Sequence, residues 1–226
     1  MNFALFGIYP YLAGSVFLVG SLLRYEREQD GWGAYSSQLL GSRTYMLWAS
    51  NLWHIGILLV FLGHFFGMLT PVFEWLGVPP LAHQWIAFAA GTTFGSLAML
   101  GGVLLLLRRF LNSRVRAASR FSDLFILAWL LLTLSVGLGT QWLTLHDLLG
   151  GNVGDMKTFQ AYLQGLVLLH PDPGLLGAVP LVYRVHMLCG MTVFLLFPFT
   201  RLVHIWTVPF NYLTRRYQLV RARRTV

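Results

Sequence analysis

Four histidines lie inside stretches of the chain that are otherwise almost free of charge. His54 and His64 fall in one apolar run, and His186 and His204 fall in another. Placing an ionisable ring in such a segment costs free energy. Neutral imidazole is a common ligand of iron, copper and zinc. For any one of them, the alternative is an interior histidine that is hydrogen-bonded to a nearby carbonyl. Two on each of two runs favour a shared role in metal binding.

The segments that must position these histidines are long and apolar. Of 226 residues, 56% are hydrophobic and 11% are charged, whereas soluble domains carry about a quarter charged residues. Five runs are near or above the ~20 residues that a helix needs to cross the hydrocarbon core, where backbone groups must bond within the segment. We therefore predict a single all-α membrane domain, 1–226, with five transmembrane helices at about 3–23, 45–69, 82–107, 124–145 and 179–208.

Positive charge alternates between the two sides of this predicted bundle. Arginines crowd the segments after the first and third helices and the tail at 209–226, while the opposite loops contribute only Lys157, with Arg184 at a helix mouth. Excess Lys and Arg mark cytoplasmic loops, so we expect the N-terminus outside and the C-terminus in the cytoplasm. Membrane topology thus explains the net charge of +8 without nucleic acid. The basic tail could bind anionic lipid or dock a partner protein.

This topology decides how the histidines pair. The second and fifth helices run in opposite directions, which places His64 with His186 near the outer face and His54 with His204 near the inner face. A bis-histidine haem takes its axial ligands from opposite sides, so we predict two haems b. One disagreement remains between the two helices. His186 and His204 are 18 residues apart, a rise of about 27 Å along a helix, whereas His54 and His64 are 10 residues apart, a rise of about 15 Å. A kink at Pro198 could absorb part of the difference.

Other metal centres fit the sequence less well. Structural zinc sites are closed tetrahedra that usually include cysteine or carboxylate, and these histidines form two pairs at different depths without acidic neighbours. The single cysteine, Cys189, excludes a Cys-x-x-Cys-His attachment for haem c and a cysteine-ligated iron–sulfur cluster.

Further residues near the predicted haems are candidates for contacts. Arg184 and Arg201 lie two and three residues from a histidine ligand, and Arg109 lies at the inner end of the third helix. Each could pair with haem propionates or anchor the membrane interface. Gly56, Gly63 and Gly190 adjoin the ligands, where a missing side chain would admit a porphyrin or allow close helix packing. A short interfacial helix is predicted within 155–169, with one apolar face formed by Phe159, Tyr162, Leu163, Leu166 and Val167.

Several segments together resemble one protein family. They are ASNLWHIGIL at Ala49–Leu58, GHFFGMLTP at Gly63–Pro71, LLFPFTRLVHIWTVP at Leu195–Pro209, and YLTRRYQLVRAR at Tyr212–Arg223. In these the chain is similar to the cytochrome b (gamma) subunit of membrane-bound respiratory nitrate reductase. The resemblance runs nearly end to end and is weakest in the loop after the fourth helix.

The resemblance implies a multi-pass subunit of the prokaryotic cytoplasmic (inner) membrane. Such a subunit oxidises menaquinol or ubiquinol and feeds electrons to an iron–sulfur (beta) subunit, which serves a molybdenum catalytic (alpha) subunit. Its haem ligands fall on the same four histidines, in the same pairs. Better-known members place a lysine near the quinol at the start of the third helix, but Leu81–Trp85 contains none. We expect His83 there, and Gly63 beside His64, to contact the quinol.

Two alternatives stay open at this point. A related di-haem cytochrome b of another respiratory reductase, acting on sulfur compounds or heterodisulfides, would carry nearly the same histidines. A haem-free transporter or assembly protein would show no strong visible absorption, and transporters usually contain inverted repeats or broken helices. Neither feature is evident in the sequence.

Overall fold

The chain is mostly helical in the part that the computed structural model describes, which is residues 2–28, 40 and 42–207. Five segments in it are long and apolar enough to span a membrane: Ala4–Arg27, Arg43–Leu69, Pro80–Leu111, Phe121–Leu149 and Leu181–Phe199. The five predicted membrane-spanning segments are confirmed, and the third and fourth extend two to four residues further at each end. The predicted tail at 209–226 lies outside the described residues.

The helices begin and end at residues with identifiable capping roles. The side chain of Ser42 accepts a hydrogen bond from the Tyr45 amide at the start of the second segment, and Asn112 caps a short helix in the same way. Both use a side-chain oxygen to satisfy amides that have no partner in the first turn. The α-helices are α1 Tyr9–Arg27, α2 Arg43–His64, α3 Val72–Trp75, α4 Pro80–Leu111, α5 Ser113–Ala117, α6 Phe121–Leu149, α7 Gly154–Val167 and α8 Leu181–Leu196. Single π turns at Ala4–Ile8 and Phe65–Leu69 extend α1 and α2, and 3-10 turns occur at Pro173–Gly177, Phe197–Phe199 and Arg201–Thr207.

The long helices pack in the order α2, α4, α6, α8, α1. The α2–α4 contact is the closest of these, because glycines allow the two backbones to approach. A side chain at Gly56 would strike the backbone of Ala98, and one at Gly101 would strike the backbone of Trp53. Gly56 is therefore a packing glycine, which the sequence left undecided. The packing order leaves α2 and α8 separated by α4 and α6 rather than packed on each other.

The fifth membrane segment is not one continuous helix, so the prediction for 179–208 is wrong in this respect. Helix α8 ends at Leu196, and the chain continues in two 3-10 turns. Pro198 lacks an N–H group and its ring clashes with the carbonyl four residues earlier. The carbonyls of Pro198 and Thr200 instead accept hydrogen bonds from Arg24 Nη1, at 2.7 and 2.9 Å. His204 lies in the second turn, so the 27 Å rise of a straight helix does not apply.

Helix α7 confirms the short helix predicted within 155–169, but it packs on the bundle. Phe159 and Tyr162 are buried against Phe6 and two residues of the following loop. The Tyr162 hydroxyl donates to the Phe6 carbonyl at 2.7 Å, and burial raises the pKa of Tyr162, which keeps the phenol protonated as a donor. Val167 is 61% exposed, so it does not belong to this buried face.

We name this end of the bundle the α7 end and the opposite one, with Arg24 and Arg201, the arginine end.

Candidate metal centres

The four intramembrane histidines meet in two pairs. The rings of His64 and His186 have centroids 6.0 Å apart and planes inclined at 46°, near the α7 end. Those of His54 and His204 are 6.3 Å apart and inclined at 84°, near the arginine end. The structure thus brings together the pairs that topology predicts. Each pair joins α2 to the segment containing α8.

Each of the four rings directs Nδ1 at a backbone carbonyl. The accepting carbonyls are Ser50 for His54 at 2.7 Å, Val60 for His64 at 2.8 Å, Thr133 for His186 at 3.1 Å, and Arg201 for His204. A carbonyl can only accept, so Nδ1 carries the proton and, in the neutral ring, Nε2 keeps its lone pair. Metal-ligating histidines are oriented in this way, and the bond fixes the tautomer and raises the basicity of the ligand. All four Nε2 atoms are therefore prepared to bind metal.

The ring spacing distinguishes two metal geometries. With metal–nitrogen bonds of about 2.0–2.1 Å and roughly 1.1 Å from nitrogen to ring centre, ligands on opposite sides of a metal place their ring centroids about 6.3 Å apart. Tetrahedral ligands at the same bond length would place them about 5.2 Å apart. The observed 6.0 and 6.3 Å match opposed ligands. Among the described residues there is also no cluster of three or more His, Cys, Asp or Glu side chains. The residues fit bis-histidine haem better than zinc.

Two glycines near the histidine ligands leave open space, and a third allows a ligand ring to approach its helix closely. A Cβ atom at Gly63 or Gly190 would meet nothing within 4 Å, so the flat edge of a porphyrin has room at both positions. At Gly137 on α6, a Cβ atom would lie 2.6 Å from Cε1 of His186. The sequence analysis missed Gly137, because its role depends on how α6 and α8 are rotated against each other.

The three candidate arginines differ in their surroundings. Arg201 forms an ion pair with Asp123, with 3.5 Å between Nε and Oδ1. Arg109 donates to Ser119 Oγ at 3.2 Å and interacts electrostatically with the Arg201–Asp123 pair. Arg184 has a buried Nε with no hydrogen-bond partner among the described residues. A buried Nε that lacks a hydrogen-bond partner favours an acceptor nearby, such as a carboxylate.

His83 is buried, with 4% of its surface exposed. It stacks on Phe73 with 4.1 Å between ring centroids and 12° between planes. Its Nε2 would lie 3.4 Å from a Cβ atom at Gly67, one turn beyond His64. The residue predicted to contact quinol is therefore buried near the histidine pair of the α7 end rather than exposed at a helix mouth.

Two glutamines that the sequence analysis did not single out line the same region. Gln160 of α7 donates to the Gly67 carbonyl at 3.1 Å. Gln84, 4% exposed, has an Oε1 with no hydrogen-bond partner among the described residues. One signal in the sequence could have revealed Gln84, because it is a second polar residue beside His83 in an apolar run. These side chains make the α7 end of the site polar as well as enclosed.

The chain is similar to known proteins of one family over nearly its whole length. The family model "Nitrate reductase gamma subunit" matches residues 2–223. The chain is 48% identical to the respiratory nitrate reductase 1 gamma chain of Escherichia coli (strain K12), over 99% of this chain and 98% of that one. It is 37% identical to the nitrate reductase gamma chain of Bacillus subtilis (strain 168), over 97% of each. This chain belongs to the nitrate reductase gamma subunit family.

Proposed function

We propose that this membrane subunit of a nitrate reductase complex holds two haems b and carries electrons from quinol to a partner subunit. The observation that carries the proposal is the pair of facing histidine couples. In each couple, Nδ1 of both rings is directed at a backbone carbonyl and the ring centroids are 6.0 or 6.3 Å apart. One haem would lie between His64 and His186, and the other between His54 and His204. We call them the outer and inner haem.

The names follow the proposed orientation. Arginine-rich segments mark the cytoplasmic side, which places the arginine end and the inner haem there, in the cytoplasmic (inner) membrane of a prokaryote. The α7 end and the outer haem then face outward. When bound, the haems supply reversible one-electron chemistry. The histidines would hold them at two levels of the membrane, since the ligands on α2 are ten residues apart and rise about 15 Å.

The proposed quinol site adjoins the outer haem. His83 is buried beside Gly67, one turn beyond His64, and could accept a hydroxyl proton from quinol, while open space beside Gly63 admits the ring. Protons would then leave outside while electrons move inward. Two electrons moving against 100 mV require about 4.6 kcal/mol, at ~2.3 kcal/mol for each charge.

Arginines at both ends are suited to haem propionates. At the outer haem, Arg184 has a buried Nε without a partner, and a propionate would satisfy it. At the inner haem, Arg109 and Arg201 lie close enough to interact, with Asp123 balancing one of their charges. Charge-assisted bonds from guanidinium to carboxylate are among the stronger hydrogen bonds in proteins.

The proposed partners are the beta and alpha subunits of the complex. An iron–sulfur beta subunit would take electrons at the arginine end and pass them to the molybdenum alpha subunit, where nitrate is reduced. The tail at 209–226 is the proposed docking segment. Deleting 215–226 should release the soluble partners from the membrane and leave both haems in place. Retained partners would favour lipid binding by the tail.

Histidine replacement tests the haem assignment. Changing His64 or His186 to Leu should remove the same haem in an optical redox titration, and changing His54 or His204 should remove the other. His146 is exposed and serves as a matched control, whose change to Leu should leave both haems. If the His54 and His64 variants lost one and the same haem, the assignment would fail.

A further inference from the structure

Asp123 is a mostly buried carboxylate among arginines. It lies in the first turn of α6, at the arginine end, and its side chain is 13% exposed. Its Oδ1 is 3.5 Å from Nε of Arg201, and it also interacts electrostatically with Arg109. A carboxylate in the first helical turn is ordinarily explained by the helix dipole. This one reaches instead to the segment that carries a proposed haem ligand.

Arg201 connects Asp123 to His204. Its guanidinium pairs with the carboxylate, and its backbone carbonyl accepts the hydrogen bond from Nδ1 of His204. A chain of polar contacts from α6 to the ligand therefore passes through Arg201. Any movement of Arg201 would change the direction from which His204 Nδ1 is held.

His204 needs such support because its segment has left the α-helix. His54, His64 and His186 belong to α2 and α8, whereas His204 lies in a 3-10 turn, whose hydrogen-bond geometry is poorer. Arg24 of α1 fixes the preceding carbonyls, so the segment is held by α1 from one side and by α6 from the other. Asp123 supplies the polar contact from α6.

We propose that Asp123 is a positioning residue for the inner haem. It holds Arg201 so that the Arg201 carbonyl orients the imidazole of His204, and it offsets the positive charge of Arg201. The proposal rests on the haem function proposed above. Loss of the carboxylate would remove one negative charge beside Arg201, and a weaker bond to Nδ1 would make the imidazole a poorer electron donor. Both effects favour the reduced haem.

The test is a redox titration of both haems in membranes that contain the whole complex. Asp123→Asn should shift the reduction equilibrium of the inner haem at least threefold toward the reduced form. That is about 28 mV, since a tenfold change for one electron is 59 mV. The electron paramagnetic resonance (EPR) signal of the same haem should change, while the outer haem stays unaltered. Asp123→Glu should restore most of both properties.

Glu28→Gln is the matched control. It removes another carboxylate at the same end, one that pairs with Arg24 and is 66% exposed, so it should leave both haems unchanged. An inner haem that behaves alike in Asp123→Asn and Glu28→Gln would overturn the positioning role but not the haem function. Equal shifts of both haems, without rescue by Glu, would make Asp123 a general structural residue.

A second variant tests the proposal independently if the Asp123→Asn protein does not assemble. Arg201→Lys keeps the charge and the backbone carbonyl but shortens the reach to Asp123, so it should shift the inner haem in the same direction by a smaller amount. A shift in neither haem, or in both, would overturn the proposal. Absence of haem from the wild-type protein would instead overturn the proposed function itself.

Discussion

Gly137→Ala should displace one haem ligand without touching the others. Gly137 lies in the middle of α6, facing the His186 ring. The added Cβ atom would lie 2.6 Å from Cε1, 3.1 Å from Nδ1 and 3.3 Å from Nε2 of that ring. All three distances fall below ordinary van der Waals contact. The ring must therefore retreat, or α6 and α8 must separate.

The size of the displacement decides the outcome. The closest contact is about 0.8 Å short of the 3.4 Å at which ordinary contact begins, whereas metal–ligand bonds hold to within about 0.2 Å. Overpacking of this kind costs about 1–3 kcal/mol, or about 5- to 150-fold in an equilibrium constant at 1.4 kcal/mol for each factor of ten. The gain in helix propensity from Gly to Ala, about 1 kcal/mol, offsets part of the loss in stability. It does not relieve the clash.

Haem content and redox behaviour report the result. In Gly137→Ala we expect a lower occupancy of the outer haem, or an altered EPR signal from it, with the inner haem retained. Gly139→Ala is the matched control, since a Cβ atom there meets nothing within 4 Å and the same propensity change occurs on the same helix. An unaltered outer haem in Gly137→Ala, or equal losses in the two variants, would refute the assignment of His186 as its ligand.

Three further substitutions extend the same reasoning. Gly20→Ala would place a Cβ atom 2.7 Å from the Pro198 ring, so the inner haem should be perturbed in redox titration, whereas Gly14→Ala, with nothing within 4 Å, should match the wild type. Gly101→Ala would force α4 away from the backbone of α2, so the melting temperature should fall and both haems should be lost together; loss of only one would contradict this. His83→Ala should slow reduction of both haems by quinol and leave reduction by dithionite intact, and unchanged quinol kinetics would remove His83 from the site.

Much of the fold was predictable because lipid imposes strict requirements on the sequence. A span must be long, apolar and helical, so the five segments could be read from their lengths. The opposite directions of the second and fifth helices then placed His64 level with His186 and His54 level with His204. That argument needed only the direction of each helix. It did not need the rotation of any helix about its axis.

The remaining details depend on rotation and depth, which one sequence does not reveal. The sequence predicted a kink at Pro198. It did not reveal that α8 ends at Leu196, because the turns that follow are held by hydrogen bonds that Arg24 donates to the carbonyls of Pro198 and Thr200. The Asp123–Arg201 contact joins residues 78 positions apart. The burial of His83 beneath Phe73 likewise depends on how the loop before α4 folds back.

The central claim is that each chain holds two haems b between its histidine pairs. The most direct measurement is a pyridine haemochrome spectrum of the purified complex, with haem b quantified per gamma polypeptide. The account predicts a value close to two. A value near zero would contradict it, and a value near one would show that one of the histidine pairs serves another purpose.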